Sequence, residues 1–540
     1  MPRIVFAAIM LLAVGLAGRG ITDEAAVRMG GDMSRYAMNG VFVHDLVAEG
    51  GAWSYDDLVS RAEHYYARYP ALSLGHHPPL PYIALVPFYA VFGVSMFAAR
   101  LSALLFFVVA VWQLYAFARR NYGWQVASWT ALLFVTNLYV LRSAQSVLSE
   151  IPMLALVLAA VNLLDYYCST GNKKHFAWFV IAAAASLYAK QLAVFMFPVY
   201  VVMLATRLGW TSLLRRHVMV LSIFGAVLLA PLGAMTLALA PANVHLVAWN
   251  ITHVGTDRGL TVPEILARII REHLSTPVIP VVVAGAVALL LRRDRRGIVP
   301  MAWMLFVLGG TVVIAAGIEP GRYAFGVMPV YFLLAASLVA HAPSPALRWV
   351  VVAVLASSAL WQVWLIRDVR PSGAGGYEAA AQYVIDERPA PVILFDSPID
   401  TGNFVFFVRK HDPTHRLVVL RAEQLLVTRH AEGIGSGSAP PDIYASLRKF
   451  GIQFVVVEER PNQHRSLQLL EDELKTNRFV ARQRIPIASR DREMAGVDLV
   501  VYEFKDWQPA EADAELDIDL RLGRRKIRLP LRDLIGEDVR

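Results

Sequence analysis

The most chemically suggestive residues of the sequence are two adjacent acids, Asp23 and Glu24, in "GLAGRGITDEAAVRMGGDMSRY". They follow the first apolar segment within a few residues of its end. A carboxylate there can act as a general base, bind a metal ion, or carry protons or ions through a pore. An ion pathway predicts ionisable groups in the middle of the spans, whereas these acids stand at a span end, which favours an enzyme working at a membrane surface.

The composition predicts a polytopic membrane protein that carries a soluble C-terminal part. The chain has 540 residues, of which 56% are hydrophobic and 17% charged, whereas soluble proteins carry about a quarter charged residues. Its mean hydropathy is +0.47. The formal net charge of +8 comes from Arg and Lys in short loops between apolar runs, which is typical of cytoplasmic loops rather than of nucleic-acid binding. The single cysteine, Cys168, excludes an intrachain disulfide framework and a cysteine-built metal site.

The N-terminal apolar run, which carries Arg3, has two interpretations: a cleavable signal peptide or a retained first helix. Because many apolar runs follow, we favour the retained helix. Both interpretations leave Arg3 inside and deliver Asp23 outside.

Further apolar runs predict the membrane spans. With the first, the candidates are 4–20, 79–94, 98–118, 124–141, 151–168, 175–190, 192–206, 216–240, 277–291, 298–317, 323–341 and 346–366. The loops expected to be cytoplasmic are the basic ones, 118–123, 172–175, 207–216 and 291–297. Because Arg3 and the loop 118–123 are both expected inside, an even number of crossings must separate them. Three runs lie between them, so one of these runs must not cross. The segment 79–94 covers about 24 Å and contains Pro81 and Pro87, so we expect an interfacial or re-entrant helix.

That choice leaves about eleven crossings within an expected range of eleven to thirteen, and it places the C-terminus outside. The alternative is that 79–94 is a tilted true span and that another short run fails to cross. This assignment of loops to the inside and the outside also places a set of polar residues on the outer face. They are Asp23, Glu24, His76, His77, Glu150, Lys190, His245, His253, Arg258, Arg322 and Tyr323. Each one alone is an ordinary residue for a span end, but their convergence on one face indicates a site.

The first outer loop, 21–78, is too long for a simple turn. It contains two amphipathic stretches with helical spacing, beginning near "DEAAVRMGG" and "DDLVSRAEHYYARYP". We expect these helices to lie in the membrane interface, with their apolar faces down and their charges toward water.

The residues after a Gly-rich linker at 370–376 predict a soluble domain. We expect a membrane domain at 1–370 and a small extracytoplasmic α/β domain with a largely parallel sheet at 371–540. The expected strands are "APVILFDSP", "FVFFVRK", "RLVVL", "GIQFVVVEE" and "GVDLVVYEF", and 515–531 predicts a β-hairpin. No nucleotide-binding motif accompanies the strands. A cap, an acceptor-docking module and a partner surface are all open roles for this domain.

An ordered series of motifs at matching topological positions resembles a known family. The series is "DE" in a long outer loop, followed by "HHPPLPYIALVPFYAVFG", "SVLSEIPMLALVL", "LYAKQLAVFMFP" and "GRYAFGVMPVYFLLAA". It resembles the GT-C fold glycosyltransferases, particularly the dolichyl-phosphate-mannose-protein mannosyltransferase and bacterial aminoarabinose transferase group. The resemblance covers roughly residues 1–366 and leaves the soluble end outside.

The resemblance implies inverting transfer of a sugar from a polyprenyl-phosphate-linked donor to a lipid, glycan or protein acceptor. It implies a multi-pass protein of the bacterial inner membrane, whose site and C-terminal domain are extracytoplasmic. No cofactor, sugar nucleotide or nucleic acid is expected. Oligosaccharyltransferases of the same fold use a divalent metal, whereas the mannosyl and aminoarabinosyl transferases, which this chain resembles more, work without one, so absence of a catalytic metal is the favoured alternative. The alternative function is that of a polytopic transporter or lipid flippase.

The resemblance also implies roles for single residues. Asp23 is the expected base that deprotonates the acceptor hydroxyl, and Glu24 assists or orients it. The expected ligands of the donor phosphate or substrate are His76, His77, Glu150, Lys190, His253, Arg258, Arg322 and Tyr323. His77 stands where the family often has a basic residue before Pro-Pro, yet a histidine is cationic only near or below its pKa of about 6.5. Arg258 and Arg322 are always charged and are therefore the better candidates for phosphate binding.

Overall fold

The protein folds into two compact units. The structure, a computed structural model, describes residues 2–24, 26–27, 32–50, 54–239, 261–292, 294–315, 319–371, 373–387, 392–397, 402–427, 442–461, 464–489, 494, 496–520 and 525–535. The first unit comprises Met1–Ile21, Gly75–Pro81 and Arg100–Pro371, and the second comprises Thr22–Leu74, Tyr82–Ala99 and Ser372–Arg540. The sequence assigns the first outer loop to the membrane domain, whereas the structure groups most of it with the C-terminal residues. The predicted domain boundary near residue 370 stays a prediction.

Apart from one two-residue strand, the regular elements described up to residue 366 are helices. In order they are α1 (Pro2–Ala17), α2 (Asp32–Glu49), α3 (Tyr55–Arg68), α4 (Leu80–Ile83), α5 (Val86–Phe92), α6 (Met96–Tyr122), α7 (Trp124–Thr136), α8 (Leu138–Ala144), α9 (Glu150–Thr170), α10 (Lys173–Ala189), α11 (Phe197–Leu208), α12 (Arg216–Leu239), α13 (Val262–His273), α14 (Ile279–Leu291), α15 (Ile298–Ala315), α16 (Pro320–Tyr323), α17 (Met328–His341) and α18 (Pro345–Ile366). Short 3₁₀ segments lie at Gln191–Met196, Trp210–Leu214, Thr276–Val278, Arg295–Gly297 and Phe325–Val327.

Fewer helices than expected are long enough to cross a membrane alone. Within the described residues there are 6 such helices, or up to 8 if each of two bent pairs is one span. Three shorter apolar helices remain, one of them Leu80–Phe92. The predicted eleven to thirteen crossings therefore exceed the number that meets this length. The segment predicted not to cross, 79–94, holds only the short helices α4 and α5.

The first of two bent pairs explains part of this difference, because a polar residue interrupts the apolar run 124–141, which looks continuous. α7 and α8 meet at 68°, and α13 meets the segment Thr276–Leu291 at 107°. At the first break, Asn137 adopts an extended backbone, and its side-chain oxygen accepts hydrogen bonds from the amides of Tyr139 and Val140. The asparagine thereby satisfies the first amides of the new helix, as an N-cap residue does.

The helices of the first unit place Glu150 and Lys190 at one end and the basic loops at the other. α9 and α10 form an antiparallel hairpin whose turn is Gly171 in the left-handed region (φ 66°), so Glu150 at the start of α9 and Lys190 after α10 share one end. At the other end, Tyr122 donates to the carbonyl of Arg296 at 2.6 Å, which joins the basic loops 118–123 and 291–297. The charge pattern predicts this grouping of loops.

The C-terminal part contains helices α19 (Tyr377–Asp386), α20 (Gly402–His411), α21 (Ala422–Leu426), α22 (Ile443–Lys449) and α23 (Arg465–Leu474). The strands are β1 (Ala26–Val27), β2 (Gly373–Ala374), β3 (Val392–Asp396), β4 (Val418–Arg421), β5 (Ile452–Glu458), β6 (Phe479–Pro486), β7 (Asp498–Phe504), β8 (Glu515–Leu520) and β9 (Arg525–Pro530). The main sheet has the order β4-β3-β5-β7-β6. β4, β3 and β5 are parallel, whereas β7 is antiparallel to both of its neighbours, so the sheet is mixed rather than largely parallel. β8 and β9 form the predicted hairpin.

Two assignments in this domain were wrong or missing. The segment "FVFFVRK" is not a strand but lies in helix α20, where residues 404–408 are all buried. A helix buried all round has the continuous apolar run of a buried strand, so periodicity does not distinguish them. Strand β6 was missed because it lies at an edge of the sheet, where its central residues are exposed and include Arg482 and Arg484.

The two helices of the first outer loop pack on the C-terminal part of the same unit. α2 contacts α20, and α3 contacts β4 and β9. Ala67 of α3 is buried in one apolar cluster with residues of the sheet, and Tyr66 packs against that cluster. Both amphipathic helices form, but the first begins at Asp32, because Ala26 and Val27 lie in strand β1 rather than in the predicted helical stretch. Their apolar sides face protein where the sequence predicts the membrane interface.

A buried ion pair fixes α2 to α20. Arg409 donates to both carboxylate oxygens of Asp45, at 2.6 and 2.9 Å, and both side chains are buried. Tyr65 of α3 donates to the same carboxylate at 2.7 Å. Burial raises the pKa of Tyr65 well above its usual value, and the neighbouring Asp45 carboxylate raises it further, so the phenol stays protonated as a donor.

We therefore expect Arg409→Met to destabilise this unit by about 3–5 kcal/mol, because it leaves the Asp45 charge buried without its main partner. The double variant Arg409→Met with Asp45→Leu should recover part of that loss. Thermal unfolding of the purified protein measures both. Lys475→Met, which removes an exposed pair with Asp472, is the matched control and should change the unfolding free energy by less than about 1 kcal/mol.

Candidate active site

Three of the predicted residues form one ion-pair cluster in the first unit. Glu150 accepts from Lys190 Nζ at 2.7 Å and from Arg322 Nε at 2.7 Å, and both bonds end on Oε1. We call Glu150, Lys190 and Arg322 the Glu150 cluster. Lys190 Nζ also lies 5.7 Å from the ring centroid of Tyr323, within reach of a cation–π contact.

The elements place these side chains for simple geometric reasons. Glu150 is the first residue of α9 and Lys190 is the C-cap of α10, so the hairpin brings them together. Arg322 lies in the four-residue helix α16, between the two long helices α15 and α17. Glu319 begins that helix with φ 41°, a left-handed conformation that costs a non-glycine residue about 1–2 kcal/mol. Its carboxylate accepts from Arg322 Nη1 at 3.0 Å.

The three side chains of the Glu150 cluster differ in their exposed fractions. Glu150 is only 1% exposed, Lys190 13% and Arg322 23%. Within the described residues, Glu150 Oε2 has no hydrogen-bond partner. A buried carboxylate thus holds two cations that are both more exposed than itself. Such an arrangement presents positive charge to an anion while fixing the geometry of the side chains that carry it.

Two residues that support the cluster were missed in the sequence. Asn137, at the break between α7 and α8, donates to the carbonyl of His273 at 2.9 Å. His273 Nε2 lies 2.8 Å from the carbonyl oxygen of Gly321, and since a carbonyl only accepts, Nε2 carries a proton. Gly321 precedes Arg322 directly, so Asn137 and His273 hold the backbone from which Arg322 projects. The available signal was a polar residue inside each of two otherwise apolar or amphipathic stretches.

The two acids of the opening motif lie in the second unit and differ in their surroundings. Asp23 is exposed. The carboxylate of Glu24 accepts from the backbone amides of Met96 at 3.0 Å and Phe97 at 3.2 Å, the first two residues of α6. Glu24 therefore caps a helix N-terminus, where amides lack partners within the helix and negative charge is favourable. This role fits a positioning residue better than a base.

Lys410 joins Glu24 to a second acid. Its Nζ lies 3.2 Å from Glu24 Oε2 and 2.7 Å from Glu378 Oε1, and His411 Nε2 lies 2.9 Å from the same Glu378 oxygen. Burial alone would raise the pKa of Glu378, but hydrogen bonds from Lys410 and His411 hold that pKa below its usual value. Burial opposes the charge of Lys410, yet the two carboxylates raise its pKa. A cavity of about 490 Å³ lies against Glu24, Glu378 and Phe407.

Among the remaining predicted ligands, the structure describes His76 and His77. In the first unit, the rings of His76 and His77 pack at 4.6 Å between centroids, and His77 is buried. His245, His253 and Arg258 lie outside the described residues. No three His, Cys, Asp or Glu side chains converge as a metal site among the residues the structure covers, and catalysis without a metal stays a prediction.

Comparison with known proteins supports the resemblance found in the sequence. Residues 76–234 match the family model described as dolichyl-phosphate-mannose-protein mannosyltransferase. No curated protein sequence matches the chain.

Solved structures match nearly the whole chain. The crystal structure of ArnT from Cupriavidus metallidurans bound to undecaprenyl phosphate has a TM-score of 0.60 at 15% identity, covering 92% of this chain and 97% of that one. This chain has the GT-C fold. The apo state of the same ArnT gives a TM-score of 0.58 at 14% identity, covering 94% and 99% of the two chains. The arabinofuranosyltransferase AftD from Mycobacteria gives 0.51 at 13% identity, covering 96% of this chain and 40% of AftD.

The GT-C fold and the family match confirm the resemblance and the predicted fold class, a multi-span helical membrane protein with a C-terminal α/β part. The family match begins at His76, in the "HHPP" motif, and it includes Glu150 and Lys190. Asp23, Glu24 and Arg322 lie outside the matched residues, so their roles depend on the geometry of this chain.

Proposed function

We propose that this protein is an inverting glycosyltransferase of the bacterial inner membrane that uses a polyprenyl-phosphate-linked sugar donor. The observation that carries this proposal is the Glu150 cluster, in which one buried carboxylate fixes two more exposed cations within a GT-C fold. The cluster lies at the end of the α9–α10 hairpin opposite the basic loop 172–175, which supports an extracytoplasmic site. The ArnT structure with undecaprenyl phosphate supports a donor of this kind.

In this proposal, the Glu150 cluster binds the donor phosphate. Arg322 and Lys190 neutralise the charge that develops on the phosphate as it leaves, and Glu150 keeps both cations in place. Fixed donors act most strongly on a leaving group because they need not reorganise during the reaction. His76, His77, Tyr323 and, from outside the described residues, His253 and Arg258 complete the expected substrate contacts.

Asp23 is the proposed base. The oxygen of the acceptor hydroxyl forms a bond to the anomeric carbon, the bond from that carbon to the phosphate oxygen breaks, and the hydroxyl proton passes to Asp23. The polyprenyl phosphate leaves with the bonding electrons, and attack from the opposite face inverts the anomeric centre. A carboxylate of ordinary basicity suffices when proton transfer is concerted with oxocarbenium-like cleavage.

Mass spectrometry of a deletion strain tests this function. We expect one sugar to be missing from the envelope lipids, glycans or glycoproteins and the corresponding polyprenyl-phosphate sugar to accumulate, because the donor is no longer consumed. Reintroducing the wild-type chain should reverse both changes. An unchanged envelope with an unchanged donor pool would contradict the proposal.

Purified protein in proteoliposomes separates transferase from transporter. A labelled polyprenyl-phosphate sugar fraction from the deletion strain should yield free polyprenyl phosphate and a new glycosidic product when acceptor-containing membrane extract is added. Movement of the labelled lipid across the bilayer with no new glycosidic bond would instead support a transporter or lipid flippase.

A further inference from the structure

The loop that carries Asp23 is held by donors from distant parts of the second unit. Both oxygens of Glu24 accept hydrogen bonds, Oε1 from the amide of Phe97, and Oε2 from the amide of Met96 and from Lys410 Nζ. The Glu24 carboxylate thus has three donors. Since Asp23 is joined to Glu24 by one peptide bond, these contacts restrict where the Asp23 backbone can lie.

A short strand restricts the loop on its other side. Residues 26 and 27 form β1 and pair in antiparallel register with residues 374 and 373 of β2. Glu378, the second acid that Lys410 contacts, lies only four residues beyond β2, in the first turn of α19. Lys410 therefore connects Glu24 to the same segment, 373–378, that pairs with β1. The acid loop and this segment are joined both through the backbone and through Lys410.

The helix that presents Lys410 is itself fixed. Arg409, the preceding residue, makes the buried two-point ion pair with Asp45 of α2. Two consecutive basic residues of α20 thus bind two acids of the first outer loop. Because Arg409 fixes α20 to α2, the backbone from which Lys410 reaches Glu24 is held in place.

We infer that Lys410 is a positioning residue for the proposed base: by binding Glu24 and Glu378 together, it fixes the loop that carries Asp23. This inference rests on the proposed function, since it assigns the C-terminal domain a part in the same reaction. The domain then contributes to catalysis by holding the base rather than by contacting the sugar. The raised pKa of Lys410 supports the inference, because the ammonium group remains charged at neutral pH.

Loss of Lys410 should affect the rate of the chemical step more than substrate binding. A displacement of about 1 Å at a reacting group can cost about 100-fold in rate. We therefore expect Lys410→Ala to lower kcat about 10- to 100-fold while the donor KM changes less than about twofold. Lys410→Arg keeps a cation that can bind both carboxylates and should restore most of kcat. A role in stability alone would lower the amount of folded protein without changing kcat per folded molecule.

Hydrogen exchange reports the positioning independently of activity. The peptide that contains Met96 and Phe97 should exchange its amide hydrogens faster in Lys410→Ala than in wild type, because Glu24 is then held less firmly against those amides. Lys410→Arg should show wild-type exchange. Lys475→Ala, which removes an exposed pair with Asp472 in the same unit, is the matched control and should change neither exchange nor kcat.

One experiment measures amide hydrogen exchange and sugar transfer on the same four proteins. They are wild type, Lys410→Ala, Lys410→Arg and Lys475→Ala, and the donor is the labelled polyprenyl-phosphate sugar fraction. Faster exchange at residues 96–97 together with a kcat loss that arginine rescues supports the inference. Wild-type kcat in Lys410→Ala overturns it, with or without faster exchange, while leaving the proposed function intact. Absence of transfer by the wild-type protein contradicts the proposed function itself, and the exchange data then still report whether Lys410 holds Glu24.

Discussion

Replacing Asp23 with asparagine is expected to reduce sugar transfer by about 100- to 10,000-fold, the range over which a positioned general base acts. Asparagine keeps the size of the side chain but cannot accept the proton of the acceptor hydroxyl. Asp23 is exposed, so the substitution should leave the amount of folded protein and its thermal unfolding unchanged. The measurement is the initial rate of product formation per folded molecule, with donor KM determined in the same series.

The control variants distinguish loss of the base from loss of a carboxylate charge in general. Asp56→Asn alters an exposed acid of α3 and should retain the wild-type rate. Glu24→Gln removes the charge that caps α6 and binds Lys410, so a smaller loss than that of Asp23→Asn is expected. Near-wild-type transfer by Asp23→Asn would show that Asp23 is not the base. A larger loss of transfer in Glu24→Gln than in Asp23→Asn would show that Glu24 is the base and Asp23 the supporting residue.

Replacing Glu150 with glutamine is expected to destabilise the protein by about 3–5 kcal/mol, because two cations then lose their shared, buried counter-charge. Glu150 accepts from both Lys190 and Arg322 through one oxygen, so a neutral amide replaces a carboxylate at the centre of the cluster. Donor KM should rise as well, since the two cations no longer keep the geometry that binds phosphate. Thermal unfolding and donor titration measure the two effects separately.

A double-variant cycle tests whether the cluster acts as one unit. Lys190→Met combined with Glu150→Gln should be more stable than the sum of the two single losses predicts, by about 0.5–3 kcal/mol, because the double variant removes one of the uncompensated cations. Glu511→Gln alters an exposed acid and should have little effect on either measurement. Strict additivity of the two cluster variants would show that Glu150 does not couple Lys190 to the site.

The pattern of apolar residues predicts where the apolar segments lie, but not where a helix bends or whether a buried segment is a helix or a strand. Hydropathy found the apolar segments, but an apolar run does not show where a helix bends. Asn137 ends α7 inside one such run, and its side-chain contacts with Tyr139, Val140 and His273 exist only after folding. The pattern also misassigned "FVFFVRK", since burial on every side gives helix α20 the composition of a strand.

The candidate site was predicted to a different degree at each residue. Glu150, Lys190 and Arg322 were all selected as outer-face residues, and the structure joins them in one cluster. His76 and His77 were selected with them but pack on each other. Asn137, His273 and Lys410 were missed, because a polar residue in the sequence does not show which partner it meets after folding.

The sequence alone was enough to identify a multi-span membrane protein of GT-C type with an acid pair a few residues after its first apolar helix. Hydropathy, charge and motif order are properties of the local chain, so they can be read without the fold. The different roles of the acids, in contrast, follow from the fold. Glu24 is bound by Lys410, 386 residues away, and Glu150 by Arg322, 172 residues away. Such contacts depend on how separate elements pack, and no local pattern of residues specifies them.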